Sequence, residues 1–288
     1  MQEIRDLMSK YDETYIATHL HSSAEINRFA ATFYKDVAAI YDAITRVKNI
    51  ERNPTGFSLT DAPILGLLVR IWKLLKEIIK YYESDNAEII SILERPLIEA
   101  AVTAAYLLNS PDDAVDDYRK CSYKTRLRIL RDLSAGSPFF ETKAGQRLLK
   151  SVRGKMDFEG LTEDDFTVQK RNGWKLQGKS FLQIFSEVVG EQLYASSYGM
   201  MSESIHGSWN ESMDFCLHQN RDGTFSTFPF SHQADIRYVT PTIRFCNIPF
   251  KLWLTRIQAD DKYLTDVLNW IDRVNGALFR KFDESYDG

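Results

Sequence analysis

Residues 87–108 read AEIISILERPLIEAAVTAAYLL, and the fold is decided there. Ile, Leu, Val and Ala fall on nearly every side of a helical wheel, so a helix over 87–108 has to be buried over most of its surface. Its polar residues are confined. Ser91, Arg95, Glu99 and Thr103 recur every four residues and form one narrow stripe. Pro96 stands inside the run, where it removes the amide that would bond the carbonyl of Ile92 and kinks the helix. A buried helix needs other helices around it, and the flanking sequence supplies them.

Between Ser22 and about Lys48, Ile26, Phe29, Ala30, Phe33, Val37, Ile40, Tyr41 and Ile44 recur at three and four, the helical period. Asn53-Pro54-Thr55-Gly56 ends that helix; Asp61 and Pro63 start the next, which runs to about Tyr82. Ser84-Asp85-Asn86 makes a turn into the central helix. Asn109-Ser110-Pro111-Asp112 then leads to a fourth helix at roughly 112–133, followed by a shorter one at 141–152. Residues 154–178 are polar and carry a lone Trp174, which predicts loop with one short helix at most. Residues 180–206 are helical again, with a break near Gly190. Between 207 and 245, Phe225, Thr227, Phe228, Ile236, Tyr238, Val239, Ile243 and Phe245 stand among Gly, Asn, Asp and Pro, which predicts a hairpin or an extended arm. A last long helix is expected over 248–282. The expected architecture is an all-α helical bundle with a small β-type or extended excursion at 207–245. No clear linker marks a boundary, so a single domain over 1–288 is expected.

Composition excludes several classes. Hydrophobic residues make up 44%, which is enough for a core and rules out a disordered chain. The net charge of −4 points to no partner by itself. Cys121, Cys216 and Cys246 are odd in number and widely spaced, which fits reduced thiols and not a disulfide framework. The chain opens MQEIRD without a basic and apolar leader, and no apolar run reaches the ~18–20 residues that span a bilayer. A cytoplasmic protein without a membrane segment is expected.

Three features carry candidate chemistry. The first is the Arg95–Glu99 pair on the central helix, either an ordinary ion pair on a solvated stripe or a semi-buried pair lining a polar pocket. The second is Tyr194, Tyr198, Ser202 and His206, again spaced by four, with Ala195 and Gly199 small enough to admit a neighbouring helix. Gly207 can close that helix in a left-handed cap, and the positive charge that a helix C-terminus attracts suits His206 as a general acid or base. The same ladder serves equally as a hydrogen-bonded seam between helices. The third is charge: residues 119–179 hold 15 Lys or Arg against 7 Asp or Glu. Lys120, Lys124, Arg128 and Arg131 are predicted on one face of the fourth helix, as a solvated face or as phosphate contacts.

Glycine-rich phosphate loops, the nucleophile elbow and the zinc motif His-Glu-x-x-His are missing from the sequence. The five histidines, His19, His21, His206, His218 and His232, form no metal set, and neither a metal nor a cofactor is expected.

Two separated motifs carry a resemblance. One is Leu93-Glu-Arg95-Pro96-Leu-Ile-Glu99. The other is Trp174, then Phe185 to Gly190, then Tyr194-x-x-x-Tyr198-x-x-x-Ser202-x-x-x-His206-Gly207, with Tyr118 between the two. Over roughly residues 60–210 the chain resembles the mostly bacterial family of unknown function numbered 5677. The resemblance implies an all-helical fold loosely similar to the HEPN bundles of bacterial defence systems, and it implies no established activity. Catalytic HEPN ribonucleases carry an Arg four to six residues before a His on one helix. Here no Arg precedes any histidine at that spacing, so such an activity needs Arg95 to stand in for it in space.

Two function classes follow. One is a binding or scaffold protein, with a homodimer left open, in which Arg95, Glu99, Tyr198, Ser202 and His206 form a buried polar network. The other is a metal-independent enzyme acting on RNA or a nucleotide, with His206 as acid or base and Arg95 on phosphate.

Overall fold

The computed structural model describes residues 2–259 and 262–285. It is an all-α helical bundle, and among the described residues the only sheet is a two-stranded antiparallel hairpin. The chain divides into two compact units, residues 1–109 with 184–288 and residues 110–183.

In the larger unit the central helix, Ala87–Leu108, has the boundaries the sequence predicts. Asn86 caps it by accepting the amide of Ile89 at 3.2 Å, and the helix runs through Pro96. It packs against Ala62–Glu83, Ile236–Arg256 and Met201–His206. Leu97, Ile98, Ala101, Ala104 and Ala105 are buried there, whereas Ile92 is 36% exposed, so the helix is not covered all round. Ser23–Thr45 packs on Ala62–Glu83 and opens with a reciprocal capping box between Ser22 and Glu25. Ala62–Glu83 carries Pro63 in its first turn, but the carboxylate of Asp61 does not cap it. That buried carboxylate instead receives Arg256 Nε at 2.9 Å and pairs with Arg52, so it ties the loop before the helix to the C-terminal part of the chain.

The excursion at 207–245 is smaller than expected. Leu217–Gln219 pairs with Phe225–Thr227, and Trp209–Phe215 is a short helix. From Ile236 onward the chain is helical, as Ile236–Arg256, although Tyr238, Val239, Ile243 and Phe245 are β-type residues and Pro241 and Pro249 lie inside. Burial decides it: Ile236, Val239, Ile243, Cys246, Phe250 and Trp253 recur at three and four, and all are buried. Tertiary packing outweighs local preference. The expected helix over 248–282 is two, because the chain leaves helical geometry at Ile257 and Gln258, the latter at φ +53, before Lys262–Ser285 begins.

Polar side chains stitch these helices together inside the core. Tyr34 and Thr240 share a hydrogen bond of 2.7 Å, Tyr41 donates to Asn247 Oδ1 at 3.2 Å, and Asn247 Nδ2 donates to the carbonyl of Leu268 at 2.6 Å. Asn275 Nδ2 donates to the carbonyl of Thr240 at 2.9 Å.

The smaller unit corrects the expected fourth helix. It is two helices, Asp112–Cys121 and Lys124–Ser134, because Ser122 and Tyr123 close i→i−3 bonds to Arg119 and Lys120. That break turns Tyr123 inward, where its hydroxyl donates to Glu159 Oε1 at 2.8 Å. Lys143–Glu159 is longer than predicted and ends at Gly160 in the left-handed conformation. Leu127, Leu130, Phe140, Leu149, Val152, Met156 and Phe166 complete a core of this unit's own.

Glu94, on the central helix, is buried. Its one hydrogen bond to a described side chain comes from Thr242 Oγ1 at 3.3 Å, and burial pushes its carboxyl up to about 8. The folded state therefore keeps a proton that the unfolded chain loses near the ordinary carboxylate value. The resulting stabilisation is fully present below about pH 4.5 and is lost as pH rises through about 8, at roughly 1.4 kcal/mol per pH unit across that window. Glu94→Gln is expected to remove this dependence. In denaturant titrations from pH 5 to pH 9 the wild type should lose a few kcal/mol more than the variant, and parallel curves would show that Glu94 ionises without penalty.

Candidate functional site

The larger unit brings the two predicted polar ladders together. Arg95 Nε donates to the hydroxyl of Tyr198 at 3.2 Å, and Arg95 Nη1 donates to Ser202 Oγ at 2.5 Å. The Tyr198 hydroxyl donates in turn to Glu99 Oε2 at 3.4 Å. The guanidinium also lies over the Tyr198 ring, 4.8 Å from its centroid, so it meets the phenol through both its oxygen and its π face. Tyr194 and Phe185 pack on Tyr198 at centroid distances of 5.3 and 6.3 Å and form the apolar backing of the site. Burial, and then the charge of Glu99, hold the Tyr198 phenol above its ordinary value, against the opposing pull of Arg95.

Local geometry explains how this contact arises. After Gly190, at φ +116, the chain makes a short 3₁₀ turn at Glu191–Leu193, a π turn at Ala195–Gly199 and then the α-helix Met201–His206. The π turn takes up an extra residue, with Met200 N–H on the carbonyl of Ala195 at 3.1 Å, and re-aims the side chains around it. Tyr198 is thereby buried, while Ala195, expected at a close helix contact, is exposed. A Cβ on Gly199 would meet only the carbonyl of Tyr194 at 3.6 Å, so that glycine makes no close approach to another helix either.

His206 does not join the network. It is exposed at the last turn of its helix, which Gly207 closes at φ +61, and its side chain makes no hydrogen bond with the described residues. Each four-residue step overshoots a full helical turn by about 40°. A ladder that follows a neighbour through Tyr198 and Ser202 has therefore rotated away by His206.

Of the four basic candidates in the smaller unit, Lys124, Arg128 and Arg131 share a face of Lys124–Ser134 and border one cavity. Lys120 lies on the preceding helix and pairs with Asp116 at 2.9 Å, so the predicted four-residue face is a face of three. Glu94 lies off the four-residue stripe, so that spacing does not single it out. Its signal was its place among Ile90, Leu97, Ile98 and Ala101 on the buried side of the helix.

An all-helical bundle with an Arg–Tyr–Ser–Glu network on its central helix is the class these observations define. The chain belongs to a family of unknown function, DUF5677, whose model matches residues 61–224 and so spans both motifs and the basic helix. No curated protein and no solved structure matches the chain. No helix among the described residues is long and apolar enough to cross a membrane.

Removing the guanidinium takes two charge-assisted hydrogen bonds and the ring contact at once. Arg95→Ala is expected to destabilise the protein by roughly 1.5–3 kcal/mol, and Tyr198→Phe by roughly 1 kcal/mol. Because both act on one network, the double variant should cost less than the sum of the two. Urea titration of the four proteins checks this, and strict additivity would show that the two side chains do not act together.

Proposed function

We propose that this chain is a helical binding or scaffold protein in which the Arg95 network fastens residues 191–206 to the central helix. The observation that supports this most is the division of labour around Arg95. Its guanidinium is engaged by Tyr198 and Ser202, and the exposed imidazole of His206 is bonded to neither. General acid–base chemistry on a group held by Arg95 needs His206 within reach of the same atoms. The phenol of Tyr198 is held in its protonated form by burial and by Glu99, so it does not replace the missing base at neutral pH.

A metal-independent enzyme acting on RNA or a nucleotide through His206 and Arg95 is the competing function. Incubation of the 288-residue chain with end-labelled RNA discriminates between the two. Wild type and His206→Ala should leave equal amounts of intact RNA, indistinguishable from a buffer control. Cleavage by the wild type that His206→Ala abolishes would overturn the binding-protein assignment.

A further inference from the structure

The smaller unit contains a cavity of about 720 Å³, bordered by Lys124, Arg128, Arg131, Lys170 and Trp174. The side chains of Lys124, Arg128 and Arg131 form no ion pair or hydrogen bond with the described residues, although Asp132 and Glu163 stand at the same cavity. Lys124 with Arg128 and Arg128 with Arg131 are neighbours at four and three residues on one helix, an arrangement of like charges that destabilises an isolated helix. All three are exposed, so water carries their charge in the free protein; what sets them apart is that they share the wall of one cavity with an aromatic ring.

Trp174 forms the aromatic part of this cavity, and it is held there with care. It adopts φ +62, which is unusual for a bulky residue, directly after Gly173 at φ +63. Its amide donates to the carbonyl of Gln169 at 2.7 Å. The buried carboxylate of Asp117 clamps the segment on both sides, accepting Gln169 Nε2 at 2.7 Å and the amide of Gln177 at 2.5 Å. The indole leans on the buried ring of Phe166, with centroids 6.1 Å apart, and is itself only partly buried. A flat ring is thus backed by the core and fixed beside a row of cations.

We propose that this cavity binds single-stranded nucleic acid, with a base stacked on Trp174 and successive phosphates on Lys124, Arg128 and Arg131. Aromatic platforms joined to basic grooves take single strands because every base has a π face and every linkage a charge. Seven residues of helix separate Lys124 from Arg131, about 10 Å along the axis, a row suited to several phosphates in series. Asp132 and Glu163 accept hydrogen bonds from the amino groups of bases. An acidic peptide would satisfy the cations but leave the indole without a partner, and a duplex hides its base faces. This deepens the assignment of the chain as a binding protein by naming the class of ligand.

The test is fluorescence anisotropy of the 288-residue chain with a labelled single-stranded RNA of about 12 nucleotides, within the usual site size. Binding is expected to weaken with salt at a log–log slope of about −2, that is −0.7 for each of three phosphates. Arg128→Ala, at an exposed position, should weaken binding and make the slope shallower by about 0.7. Trp174→Ala should weaken binding about 5- to 150-fold, the stacking contribution of one base. Trp174→Phe, which keeps an aromatic plane, should recover most of that loss and guards against a mere folding defect. Circular dichroism of each variant should match the wild type. Absence of binding, equal binding of a duplex or of ATP, or displacement by base-free polyphosphate with no effect of Trp174→Phe or Trp174→Ala would each overturn the proposal. Recovery of the bound RNA intact separates the two assignments: binding followed by cleavage would retain the cleft and overturn the non-enzymatic assignment, and no binding would do the reverse.

Discussion

The larger unit depends on one constraint: a 22-residue helix that is apolar on most sides and yet carries Glu94, Arg95 and Glu99. Such a helix is stable only where neighbours cover its apolar surface and answer its charges. The two tasks fall to different elements. Ala62–Glu83 and Ile236–Arg256 cover the apolar sides, and Thr242 on the latter answers Glu94. Residues 191–206 answer Arg95 and Glu99 with a phenol and a hydroxyl. The two acids are treated differently for a physical reason. Glu99 is exposed to water, whereas Glu94 is buried, with Thr242 its one hydrogen-bond partner among the described side chains, and burial holds its carboxyl up at about 8.

The legible parts of the sequence were those in which one period dominates. The limits of 87–108 follow from continuous apolarity between Asn86 and Asn109, and Ser23–Thr45 and Ala62–Glu83 follow from a clean three-four repeat bounded by Ser22, Pro54 and Pro63. The ladder spacing of Arg95, Glu99, Tyr198 and Ser202 also carried enough information to expect that the four side chains meet. Where two signals compete, the sequence is ambiguous. In 236–256 the three-four repeat of buried residues was present, but β-branched and aromatic residues and two prolines masked it. At Ser122 and Tyr123 no Gly or Pro announces the break, because the cause is long-range: Tyr123 turns in to reach Glu159.

His206 was beyond reach of spacing for a related reason. A four-residue ladder treats the helix as a straight edge, but the real periodicity is 3.6, and a π turn upstream adds its own rotation. The π turn has no signature in this sequence beyond Gly190 and Gly199. It becomes intelligible only with the central helix in place, since burying Tyr198 against Arg95 is what compensates a less regular backbone.

The smaller unit applies the same rule, that buried charge must be answered, to a different end. Asp117 is buried and fully engaged, Arg119 is held by Glu159 and Asp116, and Lys120 is held by Asp116. These charges are answered within the unit. Lys124, Arg128 and Arg131 stand on the very next helix without a partner among the described residues, around the only Trp of that unit. Asp132 and Glu163 lie at the same cavity, and neither forms an ion pair with these cations among the described residues. In the nucleic-acid proposal these exposed cations take the phosphates, and the indole fixed beside them by Phe166 and the Asp117 clamp takes a base.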